Sequence, residues 1–260
     1  MITAGIDVGL ESTKIVVLKD GQVAGSGLVA SGGGKRKAAV EGLWQEVLQQ
    51  AKLSADDVDA VVATGQGKYD VTFAGFTVVE PVADARVGRY VQENATSVVD
   101  MGADQIRLVT LGEGSAIEEV VLNQKCAAGL GTLLKTMARR LEMSQEAFSG
   151  ATVKEGGAVV NDGCGVFAEL DALSMLNRGA AKEEVAAALN EMAGIRISAV
   201  LNDKIHPQKD STVLVGGLTK NKALVEYLKA RSGLDFIIPD EAEYATALGA
   251  ALIAAEPAAG

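Results

Sequence analysis

An apolar strand ending in Asp-x-Gly occurs twice in this chain, once at Ile2–Ile6 running into Asp7-Val8-Gly9 and again at Ser97-Val98-Val99-Asp100-Met101-Gly102. Each copy precedes two more strand-like segments, Lys14–Leu18 and Gln22–Val29 in the first case, Ile106–Leu111 and Ala116–Leu122 in the second. A self-similar order of this kind predicts an internal duplication, two related α/β halves that each open with an antiparallel three-stranded meander. Between the copies, Val40, Leu43, Trp44, Val47 and Leu48 mark one face of a helix over Val40–Ala51. A short buried strand, Asp59–Thr64, then ends at Gly65-Gln66-Gly67, and a helix follows over Val82–Tyr90. The second half continues through helices at Gly131–Leu141, Phe167–Arg178 and Lys182–Leu201, the strand Thr212–Val215, a helix around Lys222–Ala230 and the strand Asp235–Ile238. The expected division is residues 1–93 and 94–240, with an Ala-rich helix in 241–260 returning to the first half. Glu256–Gly260, with Pro257 unable to continue a helix, reads as a frayed tail.

The composition agrees with such a core. Hydrophobic residues make up 48% of the 260 positions and aromatics only 4%, so the interior is aliphatic. Thirty glycines against four prolines suit tight strand-to-helix turns. A formal charge of −10 argues against nucleic acid or an anionic membrane as partner. No apolar run reaches the roughly 18–20 residues that span a bilayer, and the N-terminus lacks the basic-then-apolar order of a signal peptide. The expected location is the cytoplasm, where two cysteines do not make a structural disulfide.

Several segments carry chemistry. Asp7-Val8-Gly9-Leu10-Glu11-Ser12-Thr13-Lys14 sets a carboxylate at a strand end beside a glycine, two hydroxyls and a lysine. Such a hairpin tip offers donors to phosphate oxygens, with Asp7 near a hydrated Mg²⁺. Asp and Gly also end strands simply because they suit turns. Asp100-Met101-Gly102 in the corresponding place strengthens the phosphate reading, since two carboxylates facing one cleft need a cation between them. Leu214-Val215-Gly216-Gly217-Leu218-Thr219-Lys220-Asn221 is a strand, a glycine pair and a helix start, which suits an adenosine group or an ordinary turn. Ala245-Thr246-Ala247-Leu248-Gly249-Ala250-Ala251 is a small-residue helix suited first to close packing and second to a hinge. The only cysteines, Cys126 and Cys164, lie in glycine-rich contexts that open helices. They are either small buried apolar residues or metal ligands, and two thiolates fill a four-ligand site only when a second protomer supplies the rest. His206, the one histidine, and the basic Lys35-Arg36-Lys37 read as solvated loop residues.

Taken in order, these segments resemble the acetate kinase, sugar kinase, heat-shock cognate and actin superfamily. Asp7–Lys14 matches its first phosphate motif, Asp100-Met101-Gly102 its second and Val215-Gly216-Gly217 its adenosine motif. Lys125-Cys126-Ala127-Ala128-Gly129-Leu130-Gly131, Cys164-Gly165-Val166-Phe167-Ala168-Glu169 and Ala63-Thr64-Gly65-Gln66-Gly67-Lys68 resemble one branch, the ATPases that activate 2-hydroxyacyl-CoA dehydratases or serve benzoyl-CoA reductases. The resemblance implies an actin-like, ribonuclease H-like duplicated α/β fold around a nucleotide cleft. It implies ATP/ADP and Mg²⁺ bound by Gly9, Ser12, Thr13, Lys14, Gly102, Ala103, Gly216, Gly217 and Asn221, with Asp7 and Asp100 holding Mg²⁺ through water. It further implies a [4Fe–4S] cluster shared by Cys126 and Cys164 of two protomers.

Where the activators read Asp-x-Gly-Gly-Gln-Asp, this chain reads Asp100-Met101-Gly102-Ala103-Asp104-Gln105. Where they often carry a Thr-x-His-Ala-x-Gly segment, it has Ala83-Asp84-Ala85-Arg86-Val87-Gly88. Asp104 and Gln105 are therefore both candidates to orient the hydrolytic water, and Ala103 is more like the smaller reductase ATPase subunit. The expected function is an ATP-hydrolysing electron-activating subunit of a CoA-thioester reductase of the benzoyl-CoA type. The alternatives are a homodimeric activator of a 2-hydroxyacyl-CoA dehydratase and, more distantly, a small-molecule kinase or a nucleotide-set scaffold. Expected partners are a related ATPase subunit or a second copy, the iron–sulfur reductase or dehydratase component, and ferredoxin or flavodoxin as donor.

Overall fold

The computed structural model describes residues 1–31, 36–123, 129–153, 159–201, 204–205 and 211–256. Cys126, Lys35, His206 and the tail beyond 256 lie outside them. The described residues form two five-stranded sheets and eight α-helices. They divide into two compact units, one of 1–94, 109–118 and 241–260, the other of 95–108 and 119–240.

In the first unit, β1 (Ile2–Val8), β2 (Ser12–Lys19) and β3 (Gln22–Ala30) make an antiparallel meander. β4 (Ala60–Thr64) then joins β1 in parallel, and β5 (Phe76–Thr77) joins β4, giving the order β3-β2-β1-β4-β5. The second sheet repeats this order. β6 (Ser97–Met101), β7 (Ile106–Leu111) and β8 (Ile117–Leu122) take the places of β1 to β3, and β9 (Thr212–Val215) and β10 (Phe236–Ile237) those of β4 and β5. Apolar β1, buried along nearly its whole length, reads as a central strand with neighbours on both edges.

The turn expected over Asp7–Thr13 is shorter in the structure. Gly9 N donates to the Ser12 carbonyl at 3.0 Å, which closes the hairpin and leaves both Asp7 and Lys14 inside strands. α1 (Arg36–Ala51) buries Val40, Leu43, Trp44, Val47 and Leu48 against the first sheet, the stripe its spacing predicts. α2 (Glu80–Val91) starts earlier than its apolar pattern, because Pro81 suits a first helical turn and Glu80 complements the helix dipole there.

The second unit packs α3 (Leu130–Arg140), α4 (Gln145–Ser149), α5 (Gly165–Asn177), α6 (Lys182–Leu201) and α7 (Lys222–Ser232) around one core that includes Met101, Leu108, Met137, Phe148, Leu189 and Leu224. The short α4 has no apolar period to announce it. It is fixed instead by Ser144, whose Oγ accepts from Ala147 N at 3.1 Å.

α8 (Ala245–Ala254) lies in the first unit and packs on β1, β2 and α2. Two glycines make this possible. A Cβ on Gly5 would sit 1.9 Å from the Ala247 carbonyl oxygen, and one on Gly249 would sit 2.0 Å from that of Ala83. Thr3 Oγ1 donates to the Ala251 carbonyl at 2.9 Å and Thr246 Oγ1 to Asp84 Oδ1 at 2.9 Å, so the helix is both close-packed and polar-pinned. Among the described residues no helix is long and apolar enough to cross a membrane.

Candidate functional site

The first unit gathers its expected residues at the β1–β2 tip. Lys14 stands directly opposite Asp7 in the antiparallel register, and its Nζ lies 3.1 Å from Asp7 Oδ2, both side chains mostly buried. Partial burial strengthens such a pair and also leaves a cation beside a carboxylate in a position to meet an anionic, metal-bearing ligand. Ser12 shares the face of Lys14, because side chains alternate along a strand, and Thr13 faces the other way. Thr13 is fully buried, and its hydroxyl has no hydrogen-bond partner among the described residues.

On the other side of Asp7 runs β4, with Thr64 in register and Gly65 just beyond. Gly65 has φ +87°, and a Cβ there would lie 2.5 Å from the Val8 carbonyl oxygen and 2.6 Å from Asp7 Oδ1. Only glycine tolerates both that dihedral and that approach. Gly67 N donates to the Val8 carbonyl at 2.9 Å, so the Gly65–Gly67 turn is tied to the end of β1.

The second unit builds the same arrangement from different residues. Arg107 Nη2 donates to Asp100 Oδ2 at 2.7 Å, the cation again lying seven residues after the carboxylate. Gly102 N donates to the Gln105 carbonyl at 3.0 Å, as Gly9 N does to Ser12. Beyond β9, Gly216 has φ +93°, and its absent Cβ would lie 2.3 Å from Asp100 Oδ1 and 2.6 Å from the Met101 carbonyl. Asp7, Gly9, Lys14 and Gly65 thus have structural counterparts in Asp100, Gly102, Arg107 and Gly216. Arg107 was not singled out in the sequence, although its place in the repeat matches that of Lys14.

Gly217 follows in open space, since no heavy atom lies within 4 Å of where its Cβ would be. Asn221 is committed to the protein. Its Oδ1 caps α7 by accepting from Leu224 N at 3.1 Å, and its Nδ2 donates to Asn190 Oδ1 at 2.8 Å. Asn190 Nδ2 in turn donates to the carbonyls of Phe148 and Ala151 at 2.8 and 3.0 Å. This buried network holds the end of the 216–221 segment to α6 and α4.

Ala103 and Asp104 sit against the start of α3. The Ala103 carbonyl accepts from Thr132 N at 3.0 Å and from Thr132 Oγ1 at 3.3 Å. A Cβ on Gly129 would lie 2.7 Å from that carbonyl oxygen, and one on Gly131 would lie 2.8 Å from the Ala103 Cα. The glycines following Cys126 in sequence therefore serve the close approach of the 102–104 loop. Asp104 and Gln105 are both half-buried beside it.

Cys164 is an unpaired, partly exposed cysteine at the N-cap of α5. Asn161 Oδ1 accepts from both Gly163 N and Cys164 N, at 3.0 and 2.9 Å, which fixes the turn that presents it. The first turn of α5 contains no acidic residue, so its positive dipole end is left to attract an anion. Beyond the cysteine, α5 exposes Val166, Phe167, Leu170 and Leu173. Among the described residues no three His, Cys, Asp or Glu side chains converge as metal ligands. The turn thus presents one partly exposed cysteine at a helix N-terminus, bordered by exposed apolar side chains.

Residues 4–254 match the BadF/BadG/BcrA/BcrD ATPase family. The chain is 30% identical over 260 residues to the (R)-2-hydroxyglutaryl-CoA dehydratase activating ATPase of Acidaminococcus fermentans, covering 99% of this chain and 98% of that protein. It is also 30% identical over 264 residues to one of the subunits of the benzoyl-CoA reductase of Thauera aromatica, covering 96% and 92% respectively. Among solved structures, the activator of the 2-hydroxyisocaproyl-CoA dehydratase from Clostridium difficile with bound ADPNP superposes with a TM-score of 0.88 at 26% identity, covering 98% of this chain and 94% of that one. A glucokinase of the ROK family from Streptomyces griseus, at TM-score 0.60 and 14% identity, shares the fold alone. The fold is the actin-like, duplicated α/β arrangement expected from the repeat.

Proposed function

Since this chain belongs to the BadF/BadG/BcrA/BcrD ATPase family, we propose that it hydrolyses ATP to drive low-potential electrons into an enzyme acting on a CoA thioester. The observation that carries the reading is Cys164 at the N-terminus of α5, in a unit whose Asp100 turn repeats the Asp7 phosphate hairpin. A kinase has no use for such a cysteine turn.

In this reading Lys14, Gly9 and Ser12 hold phosphate oxygens, while Asp7 and Asp100 orient Mg²⁺ through water. Gly216 and Gly217 give the adenosine group a flat approach, and Asn221 keeps that segment in place through its bonds to Leu224 and Asn190. Asp104 or Gln105 orients the attacking water. ATP and water become ADP and phosphate, and one electron passes from a reduced ferredoxin or flavodoxin toward the partner enzyme. A [4Fe–4S] cluster held by Cys126 and Cys164 of two protomers supplies one-electron carriage at low potential when bound. The bonds between the Ala103 carbonyl and Thr132 offer a route from phosphate loop to α3, the helix that follows the Cys126 segment in sequence. The exposed apolar face of α5 is the surface on which a second copy, or a related subunit, docks.

Ala103 favours the reductase-type ATPase subunit. A dehydratase activator is the second reading, supported by the equal identity to the Acidaminococcus relative. The test is anaerobic purification with iron, sulfide and oligomer size measured together. About four irons per dimer that vanish in Cys164→Ser, with ATP binding kept, is the expected result. A wild-type protein that binds ATP but takes up no iron on reconstitution, with and without a related subunit, would sink the proposal. Supplying purified dehydratase and reductase components then separates the two readings.

A further inference from the structure

The turn that presents Cys164 is held from behind by a buried arginine. Arg196 lies on α6 and is only 8% exposed. Its Nε donates to the carbonyl oxygen of Asp162, two residues before the cysteine, and its Nη2 is buried with no hydrogen-bond partner among the described residues. The α5 carboxylates that follow Cys164 in sequence are engaged elsewhere. Asp171 Oδ2 accepts from Asn161 N at 2.9 Å, and Glu169 pairs with Arg140.

A buried guanidinium with an unmet N–H is expensive, and buried charges are ordinarily paired or set against a ligand. Methionine or leucine would fill the same volume without that penalty. An arginine there, bonded to the cysteine turn and with no carboxylate partner among the described residues, marks a place where negative charge is expected.

We infer that Arg196 is a positioning residue for the Cys164 centre, anchoring the Asn161–Cys164 turn and supplying a buried positive charge that favours the more negative, reduced form of the cluster. The inference rests on the proposed iron–sulfur reading. It assigns Arg196 the task of keeping the resting centre reducible by its donor before ATP lowers its potential. Hydrogen bonding and charge around the sulfurs are established levers on such potentials.

The test compares the reconstituted holoprotein with Arg196→Met and Arg196→Lys by iron and sulfide content, thermal melting and redox titration. Arg196→Met removes the charge without burying a new polar group, and Arg196→Gln is measured in its place if it fails to fold. With full iron, the charge-free variant should show a reduced-to-oxidised ratio at least about tenfold lower at the wild-type midpoint, equivalent to about 59 mV for one electron. Arg196→Lys should stay within about threefold of wild type. An unchanged midpoint in a fully loaded charge-free variant overturns the inference. So does loss of iron from both Arg196→Met and Arg196→Lys with melting and ATP binding unchanged, because the residue would then be an anchor alone. A wild-type protein that takes up no iron instead defeats the underlying functional reading.

Discussion

Arg107 donates to the Asp100 carboxylate at 2.7 Å from the strand that follows it, in the same place that Lys14 takes beside Asp7 in the first unit. The two pairs differ in kind. A planar, permanently charged guanidinium gives the partly buried Asp100 a fixed partner, whereas the Lys14 ammonium is a compact charge on a flexible stem, able to turn toward a phosphate. Arg107 therefore reads as a fixed holder of Asp100, and Lys14 as a cation free to work on a phosphate.

This distinction predicts opposite phenotypes. Arg107→Met takes the guanidinium away from the mostly buried Asp100 carboxylate and should lower unfolding free energy by about 3 kcal/mol in urea denaturation. The double variant Asp100→Asn/Arg107→Met should recover a clear part of that loss. Strict additivity in the cycle would show that the pair does not couple.

Lys14→Met should cut ATP turnover by on the order of 10²-fold, a loss larger than any fall in its melting temperature accounts for. Steady-state hydrolysis with matched circular-dichroism melts checks this. A variant that melts early and hydrolyses normally would reverse the assignment of roles.

Gly65→Ala and Gly216→Ala place a Cβ against Asp7 and Asp100 respectively, at a dihedral that L side chains rarely adopt. Each should destabilise its unit by about 2 kcal/mol or more and weaken nucleotide binding, measured by denaturation and by calorimetry with ADP. Gly217→Ala, with nothing near its Cβ, should be mild by comparison.

Leu170→Glu puts a charge in the middle of the exposed apolar face of α5. Sedimentation should show the proposed dimer dissociating at least about tenfold more readily, with ATP binding intact. An unchanged association constant would move the subunit contact elsewhere on the molecule.

Asn190→Leu removes the donor to the Phe148 and Ala151 carbonyls and leaves Asn221 Nδ2 without its acceptor. Buried groups left unmet should cost about 3 kcal/mol in denaturation experiments. Nucleotide affinity should fall with it, since Asn221 ends the 216–221 segment.

Much of this architecture was legible in the chain itself. The strand-then-Asp-x-Gly pattern is local, and period-two and helical spacing named β1, β6, α1 and α6 to within a few residues. The strand Asp235–Ile238 was legible and shortens to Phe236–Ile237 in the structure, whereas α4 and the two-residue β5 were not legible, because elements so short carry no period and form where a cap or a neighbouring strand holds them. Within the site, Asp7, Lys14, Asp100, Gly216 and Cys164 stood out by motif. Arg107, Thr132 and Arg196 did not, since an arginine or threonine inside a strand or helix looks the same whether it faces solvent or a functional turn.

The sequence alone determined the duplication, the aliphatic core and the identity of the Asp-x-Gly and glycine turns, for these follow from local pattern and turn chemistry. Tertiary structure decided the rest. It set which cation answers each carboxylate, why Gly65 and Gly216 must be glycine, that Asn221 serves the protein's own network, and that Arg196 stands behind the Cys164 turn. Those outcomes depend on contacts between residues far apart in the chain, and burial fixes their energies only once the fold has brought them together.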